Sequence, residues 1–259
     1  MKASKVIEHI VNWLGDYSGS SGTQGFVIGI SGGIDSAVTS TLCAKTGRKV
    51  MVLNLPIRQF RSQIDLSNQH IEWLKTNFSN VESHTVELSP ALDVLSKQFP
   101  NDIQDQLTMA NTRARLRMLT LYAFATHHKL LVAGTGNKIE DFGIGFFTKY
   151  GDGGVDLSPI ADLSKSEVFE LAKELKIVSG IQNAKPTDGL FEDGRSDEDE
   201  IGASYPELEW AMEYNNSGKK TGLNSRQKQV LEIYKKRNKA NRHKMEPIPV
   251  CLIPQELKS

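Results

Sequence analysis

The segment Gly29-Ile30-Ser31-Gly32-Gly33-Ile34-Asp35-Ser36 joins a short apolar run to a stretch of helical character, and this placement limits the fold more than any other feature of the chain. The run before it, residues 26–31, is too short for a helix and is bounded by glycines, so it reads as a buried strand. Residues 37–45 follow with helical character. A strand that turns through small residues into a helix aims several backbone N–H groups at one point, where the helix N-terminus adds partial positive charge. Such a turn suits phosphate, and Ser31 and Ser36 would add hydroxyl donors. Asp35 would repel phosphate unless a cation lay between them, so it suggests Mg²⁺ coordination. The loop has no Lys followed by Ser or Thr and is not a Walker A loop.

The same alternation continues downstream. Strands are expected at 49–55, 81–88 and 130–134, and helices at 64–77 and 104–129, the latter with Leu107, Leu116, Leu119, Tyr122 and Ala123 on one side. Strands alternating with helices argue for an α/β fold with a doubly wound parallel sheet, whose ligands bind beyond the C-terminal strand ends. The N-terminal residues 1–15 have helical apolar spacing, and the Ser/Gly-rich residues 16–25 read as a connector. Beyond Gly134 the pattern changes. Residues 146–159 look like an ordered loop rich in Gly and Asp, Ser164 and Glu167 form a capping box for a helix over 164–175, and further helices are expected around 205–214 and 225–237. The acidic run 197–200 reads as a solvated loop. No internal repeat is present, and residues 1–259 are expected to form one domain with helical additions at the C-terminal end.

Composition removes several classes of function. Lys+Arg and Asp+Glu are 31 each, so no net field draws the chain to nucleic acid or to a membrane. No apolar run approaches the roughly 20 residues that span a bilayer. Cys43 and Cys251 are the only cysteines and form no C-x-x-C pair, which argues against a disulfide framework, a zinc site or a thiol relay. His127 and His128 are adjacent and point to different sides of a helix, a poor metal pair. The chain reads as cytoplasmic.

The loop 29–36 resembles the S-G-G-x-D-S signature of the PP-loop ATP pyrophosphatases, which cleave ATP between its α and β phosphates. Within that superfamily, Gly145-Phe-Phe-Thr-Lys-Tyr-Gly-Asp-Gly-Gly154 resembles the signature of the NAD⁺ synthetases. Ala114-Arg-Leu-Arg-Met118, Gly134-Thr135 and His243-Lys244 match in the same order. The resemblance implies a Rossmann-like sheet of the adenine nucleotide α-hydrolase type. It also implies ATP-dependent amidation of deamido-NAD⁺ with ammonia through an acyl adenylate.

By that resemblance Gly29, Ile30, Ser31, Gly32, Gly33, Ile34, Asp35, Ser36, Thr135, Lys165 and Thr187 would bind ATP. Asp35 and Glu140 would hold Mg²⁺ and, with Lys165, act in catalysis. Arg115, Lys149, Asp156, His243 and Lys244 would bind deamido-NAD⁺, with Asp156 accepting from hydroxyls or orienting Lys149. Arg117 has a plain reading as a surface cation. The resemblance does not name the group that takes the surplus proton of ammonium; Asp152 and Asp156 are the candidates in this sequence. A glutamine-hydrolysing domain has no place in the chain, so ammonia is the expected nitrogen source, and a homodimer is expected through the apolar helix around 116–124. Gly136-Asn137 stands where many members carry Asp-His, and the segment around Gly194-Arg195, expected to cover the site as a lid, differs from shorter versions. The alternatives are another PP-loop enzyme, such as a GMP-synthetase core or a tRNA sulfur-transfer enzyme, and a non-catalytic adenine-nucleotide sensor.

Overall fold

In a computed structural model of the protein, residues 1–184, 196–218 and 222–258 are described. Four parallel strands, β1 (Gly25–Gly29), β2 (Lys49–Asn54), β3 (Val81–Thr85) and β4 (Leu131–Val132), lie in the order β3-β2-β1-β4. Phe26 pairs with Val50 on one side and Leu131 on the other. Phe26, Val27 and Ile28 are wholly buried, as expected of a central parallel strand covered on both faces. Their side chains alternate. Phe26 and Ile28 pack with α1 (Ala3–Ser20), α2 (Ile34–Lys45), α3 (Arg61–Asn77) and α6 (Lys165–Glu174). Val27, Met51 and Leu53 pack on the other face with α4 (Ser89–Gln98) and α5 (Gln106–His128).

The chain runs outward from β1 to β3 and then returns to β4 on the far side of β1. The connections leaving β1 and β4 diverge there, which opens a crevice at the C-terminal strand ends. Residues after β4 continue the sheet, with Asp156 N–H donating to the Val132 carbonyl at 2.9 Å and Gly134 N–H to the Leu157 carbonyl at 2.8 Å. A third core of Ile139, Ile144, Ile201, Tyr205, Leu208, Val230 and Tyr234 joins a π-helical turn (Ile139–Ile144) to α8 (Asp197–Ile201), α9 (Tyr205–Asn216) and α10 (Ser225–Met245). A short α7 (Ser179–Gln182) follows α6.

The structure corrects several expectations. The connector expected over 16–25 is helical as far as Ser20, because Ser18 is buried and anchors the next turn through Thr23. The third strand stops at Thr85, and α4, unrecognised in the sequence, comes next with a proline in its first turn and a single fully buried anchor, Leu92. The acidic run at 197–200 is not a loop but α8, capped by the Ser196 hydroxyl on Asp199 N–H with the reciprocal carboxylate contact. α10 runs past 237 to Met245. Gly194, Arg195 and Thr187 lie outside the described residues. No described helix is long and apolar enough to cross a membrane.

One buried histidine gives the fold a pH signature. His70 of α3 has no exposed surface, meets the Ser40 hydroxyl at 3.0 Å through Nε2 and stacks on Trp73. Burial lowers its pKa from the ordinary 6.5 to about 4, the backbone of Ala37 opposing only in part. The unfolded chain therefore takes up a proton that the folded chain refuses between these values. Stability from this residue is complete above pH 6.5, falls by about 1.4 kcal/mol per pH unit on acidification, and levels off below about 4. Chemical denaturation of the parent and a His70→Gln variant at pH 7, 5.5 and 4.5 should show their stability gap shrinking as pH falls.

Candidate active site

The loop after β1 is folded on itself. Gly32 has a φ of +85°, and a Cβ there would lie 2.8 Å from the Gln63 carbonyl oxygen, so glycine is required. The Ser31 and Ser36 hydroxyls lie 3.0 Å apart, Gly33 N–H donates to Ser31 Oγ at 3.1 Å, and Ser36 Oγ donates to the Gly33 carbonyl at 3.0 Å. The serine hydroxyls expected to face a ligand thus meet each other and the loop backbone. α2 begins at Ile34, which places Asp35 in its first turn beside the loop amides.

Across the crevice, Thr135 comes just after β4. Buried Asn137 accepts from Ile139 N–H at 3.1 Å and Glu140 N–H at 3.2 Å through Oδ1, which anchors the π-helical turn and Glu140 with it. Lys165 is the first residue of α6, behind the capping box of Ser164 and Glu167. A cation at a helix N-terminus is electrostatically misplaced. It is held there because Lys165 Nζ lies 2.5 Å from Asp35 Oδ2 and 3.1 Å from Glu140 Oε1, with the lysine only 3% exposed. Burial disfavours its charge, but the two carboxylates overcome this and hold its pKa above the ordinary lysine value.

Burial pushes Asp35 up to about pH 6, with Lys165 pulling down and Glu140 pushing up. Asp141 is raised to about 7 by burial and then by Glu140, Asp152 and Asp35. Asp152 is also raised by burial, partly offset by Thr148 N–H at 2.9 Å. The carboxyl of Asp141 lies where a side chain on Gly136 would begin, since a Cβ there would sit 2.1 Å from Asp141 Oδ1.

The two carboxylates are left open in a way that fits a divalent cation. Among the described residues Lys165 reaches Asp35 Oδ2 and Glu140 Oε1 and Tyr205 reaches the same Glu140 oxygen, while the Asn137 side chain lies near enough to Asp35 to favour its charge and the buried Asp35 Oδ1 makes no hydrogen bond of good geometry. Among the described residues no group of three or more His, Cys, Asp or Glu side chains is arranged to hold a metal. Two carboxylates with phosphate and water completing the shell is the usual arrangement for Mg²⁺.

Gly29, Ser31, Asp35, Thr135 and Glu140 line one cleft of about 240 Å³, together with Arg117 of α5. Arg115, Lys149, Asp156, His243 and Lys244 do not line it. Four of these five form a connected seam beside it. Arg115 donates to the Lys149 carbonyl at 3.3 Å, Lys149 Nζ to the His243 carbonyl at 2.5 Å, and Lys244 Nζ to the carbonyls of Gly145 at 2.9 Å and Phe147 at 2.8 Å. Asp156 stands apart from Lys149. It accepts from the Tyr122 hydroxyl at 3.0 Å and from Val132 N–H at 2.8 Å, at the sheet edge.

Three side chains have roles at the cleft that the sequence does not disclose. Arg117 faces the cleft with Nε on the Leu55 carbonyl at 3.1 Å. Asp141 lines the cleft from the π-helical turn. Tyr205 donates to Glu140 Oε1 at 2.5 Å and lies 3.3 Å from Asp197 Oδ2. Burial, then Glu140 and Asp197, hold its phenol well above the ordinary tyrosine value. The capping-box pattern at Ser204 and Glu207 places Tyr205 at a helix start but says nothing of what it faces.

A family model described as NAD synthase matches residues 6–248. The NH(3)-dependent NAD(+) synthetase of Methanosarcina mazei is 35% identical over 249 residues, 93% of this chain and 95% of that protein. Among solved structures, NMN synthetase from Francisella tularensis superposes with a TM-score of 0.83 at 34% identity, covering 98% of this chain and 99% of the other. The NH3-dependent NAD synthetase of Campylobacter jejuni superposes with a TM-score of 0.79 at 26% identity, covering 97% and 100%. With a phosphate-type loop, a carboxylate pair and a buried lysine gathered at the crevice, and a family match over nearly its whole length, the chain belongs to the NAD synthase family.

Proposed function

We propose that the protein is an ammonia-dependent ligase that amidates the nicotinate carboxylate of deamido-NAD⁺ at the expense of ATP. The observation that carries this reading is the meeting of Lys165, Asp35 and Glu140 at the mouth of the loop 29–36. A carboxylate oxygen of the substrate attacks the α-phosphorus of ATP, the bond to the β-phosphate breaks, and pyrophosphate leaves. Ammonia then adds to the acyl carbon, the bond to AMP breaks, and the surplus proton passes to solvent. The substrate supplies the first nucleophile, so the protein needs neither Ser nor Cys for it. Its part is positioning and charge stabilisation. Loop amides at 29–36 hold phosphate, Lys165 offsets the charge that develops on it, and Thr135 and Thr187 complete the ATP contacts. Arg115, Lys149, Asp156, His243 and Lys244 serve the pyridine nucleotide. Asp35 and Glu140 would hold Mg²⁺, and the ion would supply neutralisation of phosphate charge.

The likeness to an NMN synthetase supports a second reading, in which the acceptor is nicotinate mononucleotide. The two acceptors share the reacting carboxylate and differ in the adenylyl half. The chain is proposed to act as one catalytic domain in the cytoplasm, where unpaired Cys43 and Cys251 are at home. A homodimer is proposed through α5, where Leu107 and Leu119 are more than 60% exposed.

Three outcomes are expected. Purified protein should form AMP and pyrophosphate from ATP only when a nicotinate nucleotide and ammonium salt are both present, and glutamine should not replace ammonium. Comparing kcat/KM for deamido-NAD⁺ and nicotinate mononucleotide chooses between acceptors, and ADP as product would overturn the reaction. Asp35→Asn and Glu140→Gln should retain the fold by circular dichroism, because each leaves Lys165 one carboxylate, yet lower the rate by roughly 10²-fold or more. Added Mg²⁺ should restore part of the loss; unchanged turnover in both would remove the metal assignment. Light scattering at micromolar concentration should give twice the 28.7 kDa chain mass.

A further inference from the structure

The resemblance to known families assigned no role to Tyr205, the first residue of α9. Its side chain is buried and meets the Lys165 cluster in two ways. The ring centroid lies 4.6 Å from Lys165 Nζ, a cation–π distance, and the hydroxyl lies 2.5 Å from Glu140 Oε1. A phenol has one proton to donate, and the short contact directs it to Glu140 in preference to Asp197 Oδ2 at 3.3 Å. Lys165 donates to the same Glu140 oxygen at 3.1 Å. Two donors from two helices therefore converge on Oε1, and neither reaches Oε2.

This convergence matters because the terminal torsion of a glutamate is broad, so the bonds around it must set the orientation of the carboxylate plane. Lys165 alone provides one contact to Glu140 and a shorter one, at 2.5 Å, to Asp35. An ammonium is a rotatable point donor and imposes little orientation. The tyrosine hydroxyl sits on a rigid ring packed in the third core, so it sets direction where the lysine cannot.

We infer that Tyr205 is a positioning residue: it holds the Glu140 carboxylate by one oxygen and the Lys165 ammonium by its ring, so that Glu140 Oε2 and Asp35 Oδ1 are presented together to the divalent cation that accompanies ATP. This rests on the assignment of Mg²⁺ to Asp35 and Glu140. Tyr205 touches neither nucleotide nor reacting atoms and acts through Glu140 and Lys165.

The test is Mn²⁺ titration by electron paramagnetic resonance with the uncleavable analogue α,β-methylene-ATP present, on the parent, Tyr205→Phe and Tyr205→Leu. Phenylalanine keeps the ring over Lys165 and the packing, and loses only the hydroxyl. Its Mn²⁺ affinity should fall by about 10-fold or more, the scale for losing a group that orients a metal ligand. Its thermal midpoint should remain close to the parent's. The Mg²⁺ concentration needed for AMP formation should rise in parallel, with kcat recovering at saturating Mg²⁺ and KM for the pyridine nucleotide unchanged. Tyr205→Leu should lose more, because the ring contact to Lys165 goes as well. Parent-like Mn²⁺ binding in Tyr205→Phe overturns the assignment alone. So does a loss of kcat that excess Mg²⁺ does not restore and that tracks the thermal midpoint. A parent that binds no Mn²⁺ beside the analogue removes the metal reading and this inference with it.

Discussion

A buried ammonium bridging two carboxylates is an expensive thing to build. Desolvation penalises all three charges, and the arrangement persists only where their mutual attraction and hydrogen bonds offset it. Lys165, Asp35 and Glu140 come from the first turns of α6, of α2 and of the π-helical turn, with 130 residues separating Lys165 from Asp35. Three segments that share no local sequence must therefore arrive within hydrogen-bond reach together. The packing of α6 on α2, the anchoring of Glu140 by Asn137 and the seating of α9 through Tyr205 all serve that meeting.

The sheet makes the meeting possible. β1 and β4 are neighbours whose outgoing connections part in opposite directions. The loop 29–36 and the segment 135–140 therefore face each other across a crevice, while the cores on the two faces keep the strands fixed. The C-terminal helices, which add nothing to the sheet, complete the site from a third side. Lys244 is bonded to two carbonyls of the 145–154 segment and is thereby linked to the same frame.

Much of this is legible in the residues, and for identifiable reasons. A loop of small residues between a five-residue apolar strand and a helix has few foldings, and the alternation of strands and helices leaves little choice of sheet. Asp35, Glu140 and Lys165 are named by the family resemblance, and they do meet in space. Other features are hidden because their cause is tertiary. α4 opens on a Ser-Pro pair that reads as a turn and has one fully buried anchor, Leu92, so its docking is set by tertiary contact. The acidic α8 buries only Asp197 and Ile201, and its four successive carboxylates mask the cap. Arg117 and Tyr205 owe their place to neighbours 62 and 65 positions away, a relation that no local pattern encodes. Asp156 is a plausible partner for Lys149 by charge alone, but the backbone of β4 has the prior claim to it.

The π-helical turn at Ile139–Ile144 has a consequence for how such chains can vary in length. A wide turn of this kind differs from an α-helical one by a single residue of backbone. Removing one residue between Asn137 and Gly145 would tighten the coil and swing the downstream residues by about 100°. With Asn137 and Lys244 gripping the two ends, the displaced rotation would fall on Glu140 and Asp141 between them. Substitutions in this stretch change chemistry one side chain at a time, whereas an insertion or deletion re-aims two carboxylates at once. Its residue count is thus a structural quantity in its own right, and it is a ruler that measures where charge points.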